Sequence, residues 1–358
     1  MLTKQRFYVL DAFRGLSALF VFLYHMPHHS FLTDNAFISN SGFFVDLFFV
    51  LSGFVIYHNY NNRDFNFRNS KGFIKRRLKR LFPLHIYTLL VLVLLETLKL
   101  FIQNYLPIND IAFSKNNLST FLPQLFFLNS TPFFTGFQWN GQNWSISAEM
   151  ISYILFALTS YLWFKKKMST IIISTILIIF GYLFFIFNFN SFNLTVDFHY
   201  SFIRGFAGFF IGILTYLSRP YCYNIIKNLS TTAKHVLELL AILLITLFII
   251  NFNPNQYYFL HLAFSFLILL FSFEMGLIST FLKLSIFQKI GLWSYSIYLN
   301  RHFIIRIYSI LCEKVFKIEK QWFLFFEVLT LVLLCIYSYY TYNYIEKRFF
   351  KSKANSIE

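Results

Sequence analysis

The sequence predicts an all-α, polytopic membrane protein of about ten transmembrane helices with both termini cytoplasmic. Three observations lead there. Hydrophobic residues make up 57% of the 358 residues and charged residues 13%, against roughly 45–50% and 25% in soluble domains. Mean hydropathy is +0.57, and apolar runs long enough to cross a bilayer recur along nearly the whole chain. The cations, finally, sort to alternate ends of those runs. Too few charges remain to cover a water-soluble globule of this size. With 12 glycines, 7 prolines and 3 cysteines, the composition also excludes collagen, a low-complexity chain and a disulfide scaffold.

A bilayer core needs about 20 apolar residues per helix. Ten stretches meet this, at roughly 8–27, 40–59, 81–103, 144–164, 169–189, 200–217, 236–252, 258–278, 290–311 and 322–344. The first contains Asp11 and Arg14 and lacks a small-residue cleavage pattern after it, so it reads as a span rather than a signal peptide. With the N-terminus inside, 22 of the 31 Lys and Arg fall in inner segments. Five fall in outer ones (Lys99, Lys115, Lys314, Lys317 and Lys320), and Arg14, Arg204, Arg301 and Arg306 lie within spans. The positive-inside rule accounts for this asymmetry and for the net charge of +16, so no nucleic-acid partner is expected. Nine or eleven spans, through the final pair, is the neighbouring alternative.

The longest outer segment runs from about 105 to 143. Its stretch Leu118–Leu128 is apolar but too short to span, which suits a re-entrant or interfacial helix. Little chain follows the last span: residues 1–347 form the membrane domain and 348–358 a short basic cytoplasmic tail, with no appended soluble domain expected. Cys222, Cys312 and Cys335 have neither metal-site nor CxxC spacing, and no metal is expected.

Ionisable groups inside spans cost several kcal/mol unless paired or hydrated, so they are the first candidates for function. Arg14 and His25 are eleven residues apart, which puts both on one helix face about 16 Å apart along the axis. Asp11 sits one turn from Arg14 on the same stripe, so a buried Asp11–Arg14 ion pair competes with a polar path beside the helix. Asp46 enters with the second span at about the depth of His25. A carboxylate there orients an imidazole, or stabilises a helix start through the dipole. Glu149 follows Trp144, Ser145 and Ser147 into the outer half of the fourth span, where helix capping by Ser145 is the competing role. Lys75, Arg76, Arg77 and Arg80 crowd an inner loop before the third span, as a lipid-binding topology anchor or a clamp for phosphate. The ninth span holds Ser294, Tyr295, Ser296, Tyr298, Asn300, Arg301 and His302, too polar for a lipid-facing helix. Glu346 reads as a partner for Lys347 or Arg348.

Several phrases are recognisable together. Leu10-Asp11-Ala12-Phe13-Arg14-Gly15 runs on to His25 with R-x10-H spacing. Val45 to Ile56 reads VDLFFVLSGFVI, Lys75 to His85 reads KRRLKRLFPLH, Asn143 to Glu149 reads NWSISAE, and Gly291 to Leu299 reads GLWSYSIYL. In this order, along the full chain, they resemble acyltransferase family 3, the integral membrane acyltransferases that include bacterial O-acetyltransferases of O-antigens and capsules. Two departures stand: Arg301 intervenes before His302, and Lys347-Arg348 replaces the usual end of the closing signature.

The resemblance implies that residues 1–347 are a transmembrane acyltransferase domain in a bacterial cytoplasmic (inner) membrane. The implied reaction moves an acetyl group from cytoplasmic acetyl-CoA to a hydroxyl of a surface glycan such as an O-antigen, or of a lipid-linked oligosaccharide. His25 would be general base, oriented by Asp46 or Glu149. Arg14, Lys75, Arg76, Arg77 and Arg80 would hold the acetyl-CoA phosphates. Trp144, Ser145, Ser147, Arg204, Tyr295 and Tyr298 would contact substrate, with Arg204 or Ser145 polarising the carbonyl. A transporter or flippase of an anionic small molecule or lipid-linked sugar is the alternative from another class. A structural partner in a glycan-assembly complex is a third.

Overall fold

The computed structural model describes residues 6–103, 105, 111–133, 138–163 and 166–351. Lys4, Lys165, parts of the segment 105–143 and residues 352–358 of the expected tail lie outside the described residues. Among the described residues, all regular structure is helical. Ten long helices carry it: α1 Tyr8–His25, α2 Phe44–Tyr60, α3 Phe67–Ile102, α4 Trp144–Leu162, α5 Lys167–Phe189, α6 Ser201–Ile226, α7 Thr231–Ile250, α8 Tyr257–Phe271, α9 Ser285–Tyr308 and α10 Phe323–Thr341. Each overlaps one of the ten apolar stretches.

Seven helical segments among the described residues are long and apolar enough to cross a membrane: Ser41–Tyr60, Phe67–Ile102, Trp144–Leu162, Lys167–Phe189, Phe198–Ile226, Thr231–Ile250 and Lys320–Phe349. The helix α8 has 15 residues, and α1 and α9 carry polar stripes that lower their apolarity. The chain is thus a multi-pass helical membrane protein. A topology of ten crossings with cytoplasmic termini belongs to the proposal below.

Lipid offers no hydrophobic drive between helices, so close backbone contact has to hold them together. Two pairs form the centre. The helix α1 lies along α9, where a Cβ on Gly15 would sit 2.6 Å from the Gly291 nitrogen and one on Gly291 2.4 Å from the Asp11 carbonyl oxygen. Likewise α2 lies along α6: a Cβ on Gly53 would come 1.8 Å from the Phe209 oxygen, and one on Gly212 1.9 Å from the Val50 oxygen. The helix α4 packs on α6 through Gly205 and Ala148. The helices α5, α7 and α10 lie at the periphery and expose rows of large apolar side chains, such as Ile172, Ile176 and Ile179 or Leu239, Leu243 and Leu247.

The basic segment expected as a loop is helical. Asn66 caps it by accepting the Asn69 N–H, and Lys and Arg are good helix formers, so the helix runs unbroken into the apolar stretch. Pro83 sits inside α3 without ending it. Its 36 residues make a rod of about 54 Å, longer than a bilayer core, so its basic turns project beyond the apolar layer. The expected short helix forms at Leu118–Leu125, closed by reciprocal Asn117 and Thr120 capping. Its Gln124 carbonyl accepts from His85 Nε2 of α3 at 2.8 Å. After α10 the chain enters a π turn, Tyr342–Glu346, which turns Glu346 inward. There Glu346 accepts from Ser296 Oγ at 2.8 Å, and this interior contact replaces the expected pairing with Lys347 or Arg348.

Candidate active site

Two cavities open between the helices, one toward each end of α1. Arg14 lines one, which encloses about 790 Å³ between α1, α2, α3, α4 and α9. His25 lines the other, of about 1020 Å³. The eleven-residue spacing thus delivers one residue of the stripe to each cavity.

In the Arg14 cavity the guanidinium is held on three sides. Its Nε donates to Ser294 Oγ at 3.0 Å, and Nη2 donates to the Gly291 carbonyl at 3.2 Å and lies 3.1 Å from Asp11 Oδ1. The Asp11–Arg14 pair and the polar path therefore coexist. Arg77 and Arg80 reach the same cavity from α3, one turn apart on one face. The Arg77 guanidinium lies among the rings of Tyr60, Phe73 and Tyr153, within 5.9 Å of each centroid. Lys75 and Arg76 do not join them. Successive helix residues point about 100° apart, which leaves both side chains exposed, with Arg76 Nε donating to Tyr60 Oη at 3.3 Å.

Glu149 faces this cavity and not the His25 cavity, contrary to the expectation that it orients His25. The helix α4 carries it five residues, about 7.5 Å, below Trp144 at the other cavity. Its Oε1 accepts from Ser52 Oγ at 2.8 Å and from Tyr153 Oη at 2.5 Å. Arg14, Arg80 and Glu346 lie near enough for their charges to interact with it or with each other.

In the other cavity, His25 Nδ1 lies 2.7 Å from the Val21 carbonyl oxygen. That oxygen only accepts, so in the neutral imidazole Nδ1 bears the hydrogen and Nε2 keeps its lone pair. The backbone of α1 orients this imidazole; neither Asp46 nor Glu149 does. Asp46 faces α6 and α8 instead. Its carboxylate accepts from Arg204 Nε at 2.8 Å, Arg204 Nη2 at 2.6 Å and Tyr257 Oη at 2.6 Å, with His261 Nε2 at 3.5 Å. Asp46 is fully buried. Arg204 is consequently fixed by a fork-to-fork pair, with its guanidinium 4.9 Å from the Trp144 ring centre; both residues line the His25 cavity. That grip argues against a mobile carbonyl-polarising role for Arg204.

Ser145 and Tyr295 line the Arg14 cavity, and Tyr295 Oη donates to the Leu81 carbonyl at 2.6 Å. Ser147 lies outside both. It is buried, donates to the Phe127 carbonyl at 2.5 Å and pairs with Ser130 Oγ at 2.7 Å, fastening the segment after the short helix. Tyr298 lines both cavities. Its hydroxyl is 2.5 Å from Ser145 Oγ, and the Arg301 guanidinium lies 3.7 Å from its ring centre.

Ser52, Tyr153, Tyr257 and His261 were not singled out from sequence. Ser52 had a signal, a hydroxyl alone in the apolar run VDLFFVLSGFVI. Tyr153 shares a helix face with Glu149 at i, i+4. Tyr257 and His261 had none, since their partner Asp46 lies more than two hundred residues away.

A family model described as an acyltransferase domain matches residues 7–340. A protein of Rhizobium radiobacter, described as "Protein 2 in picA locus", is 41% identical over 86 residues, covering 24% of this chain and 43% of that protein. The matched stretch is thus less than half of that relative's length. No solved structure matches.

Proposed function

The chain belongs to the acyltransferase family matched over residues 7–340, and from that membership we propose that it is a membrane O-acetyltransferase. It takes an acetyl group from cytoplasmic acetyl-CoA and delivers it to a hydroxyl of a cell-surface glycan or its lipid-linked precursor, in a bacterial cytoplasmic membrane. The observation that carries this reading is Tyr298, a shared wall between a cavity lined by three arginines and a cavity lined by a histidine with a free lone pair.

The arginine side suits the donor. Arg14, Arg77 and Arg80 suit phosphate and pyrophosphate oxygens, and the positive-inside distribution puts this end in the cytoplasm. The pantetheine arm extends toward Tyr298, where the thioester carbonyl meets the bonded hydroxyl pair of Tyr298 and Ser145, which has one hydrogen left to donate. The acceptor enters from the other end. His25 Nε2 takes the proton of a sugar hydroxyl as its oxygen attacks the carbonyl carbon. The tetrahedral adduct collapses, the C–S bond breaks and the CoA thiolate leaves, taking up the proton. Ten crossings with both termini cytoplasmic fit this division of ends.

Membranes carrying the protein, given labelled acetyl-CoA and the host glycan pool, test the reading. Label in a glycan fraction supports it. A labelled anion accumulating in the vesicle lumen with none in glycan overturns it in favour of transport.

A further inference from the structure

A third cleft, of about 1160 Å³, lies at the His25 end of the molecule, between the C-terminal turns of α3 and α9 and the residues 111–116, 138 and 139. Its frame is built around Glu96, 2% exposed. Glu96 accepts from Arg306 Nη2 at 3.1 Å, Asn116 Nδ2 at 2.8 Å and the Phe113 N–H at 3.2 Å, and Lys99 Nζ lies 3.8 Å away. Asn116 Oδ1 in turn accepts the Trp139 N–H at 2.5 Å. Phe113 and Trp139 both have left-handed backbones, with φ of 60° and 51°. Bulky residues hold such conformations only where the surroundings over-determine them.

The charges here run against the topology. Of the five cations assigned to outer segments, Lys99 and Lys115 meet in this cleft, and Arg306, one of four arginines within spans, joins them. Among the described lining residues these three cations face a single carboxylate, Glu96. Lys115 is exposed and makes no ion pair among the described residues. His302 lines the cleft, while the preceding Arg301 lines the His25 cavity, so the two sites lie on neighbouring faces of α9.

We propose that this cleft binds an anionic group of the acceptor, a carboxylate or phosphate carried by an acidic saccharide, with Lys115, Lys99 and Arg306 as its cations. Charge-assisted contacts of this kind are short and directional. Anchoring there sets a neighbouring sugar hydroxyl in the His25 cavity. The inference rests on the acyltransferase reading and names its substrate class.

The test uses membranes with the full chain, labelled acetyl-CoA and the extracted glycan pool, with products separated by anion exchange. Label is expected in the acidic fraction. At sub-saturating acceptor, Lys115→Glu lowers labelling about tenfold or more and excess acceptor restores it, a KM effect expected when a charge-assisted contact is replaced by a repelling charge. Lys115 is exposed, so the change spares the fold; Arg306→Gln gives a second reading. Lys320→Ala removes a cation at the same end outside the cleft and leaves labelling unchanged. Loss of acceptor activity on carboxyl reduction assigns a carboxylate, and loss on phosphate-ester cleavage assigns a phosphate; loss on neither overturns the proposal. Label confined to neutral glycan, or Lys115→Glu equal to wild type, overturns it while leaving acyl transfer intact. No label from wild type in any fraction overturns the acyltransferase reading and this inference with it.

Discussion

The hydroxyl of Tyr298 lies 2.5 Å from that of Ser145, across the wall between the Arg14 and His25 cavities. In the proposed transfer the acyl group meets its acceptor at this wall, where the ring would limit the acyl length that passes. Tyr298→Ala should shift preference from acetyl-CoA toward butyryl-CoA by about tenfold or more, from the lower end of the range for one methylene of fit upward. Tyr298→Phe keeps the ring and should keep the acetyl preference, with a several-fold slower rate from the lost hydroxyl. Competition among acyl-CoA thioesters of increasing length, read on labelled glycan, checks both.

Helix geometry divides the basic turns of α3 into two faces. Arg77→Ala or Arg80→Ala should raise KM for acetyl-CoA about tenfold, the scale of one lost charge-assisted contact. Lys75→Ala, on the exposed face, should change it less than about twofold. Initial-rate titrations of acetyl-CoA against these variants provide the comparison. Arg14→Lys should behave as the arginine losses do, since lysine keeps the charge but not the fork that bonds Ser294 and Gly291.

Asp46 acts through the fold. Its ion pair with Arg204 is buried and bidentate, and removing one partner of such a pair costs about 3–5 kcal/mol. Asp46→Asn should therefore lower the detergent-solution melting temperature and the yield of inserted protein. Activity per folded molecule should fall far less than in His25→Ala. A thermally intact Asp46→Asn with no activity would return Asp46 to the chemistry.

Much of this was legible beforehand because it is local. Apolar length and cation sidedness located all ten long helices to within a few residues at most ends, and eleven steps of α-helix placed Arg14 and His25 on one stripe. The partners of the buried carboxylates were not legible. Depth along a span says how far a residue lies from the surface but not which neighbour it faces. Depth alone pairs Asp46 or Glu149 with His25, whereas Asp46 pairs with Arg204 and Glu149 accepts from Ser52 and Tyr153. Ser147 shares a motif with Ser145 yet points to a different neighbour, two residues and about 200° of rotation away. The basic loop proved to be helix because its pattern of charge hid a run of good helix formers. The close glycine contacts depend on which helices pair, which a single sequence does not reveal.

Those contacts can be tested directly. A Cβ on Gly53 would come 1.8 Å from the Phe209 oxygen, a backbone atom that cannot rotate away. Gly53→Ala should separate α2 from α6 and destabilise the fold by about 1–3 kcal/mol or more, the usual scale of overpacking. Gly72→Ala, on the basic turns of α3, meets only the Arg76 side chain at 3.4 Å and should be neutral or mildly stabilising. Thermal unfolding of the two purified variants distinguishes them.

The proposed acyl transfer depends on His25 Nε2 as its base. Its most direct test is acetyl labelling of glycan by membranes holding equal amounts of folded wild-type and His25→Ala protein. Labelled glycan is expected from wild type and a loss of about 10²-fold or more from His25→Ala, the usual worth of a positioned base. Labelling by His25→Ala at the wild-type rate would contradict it.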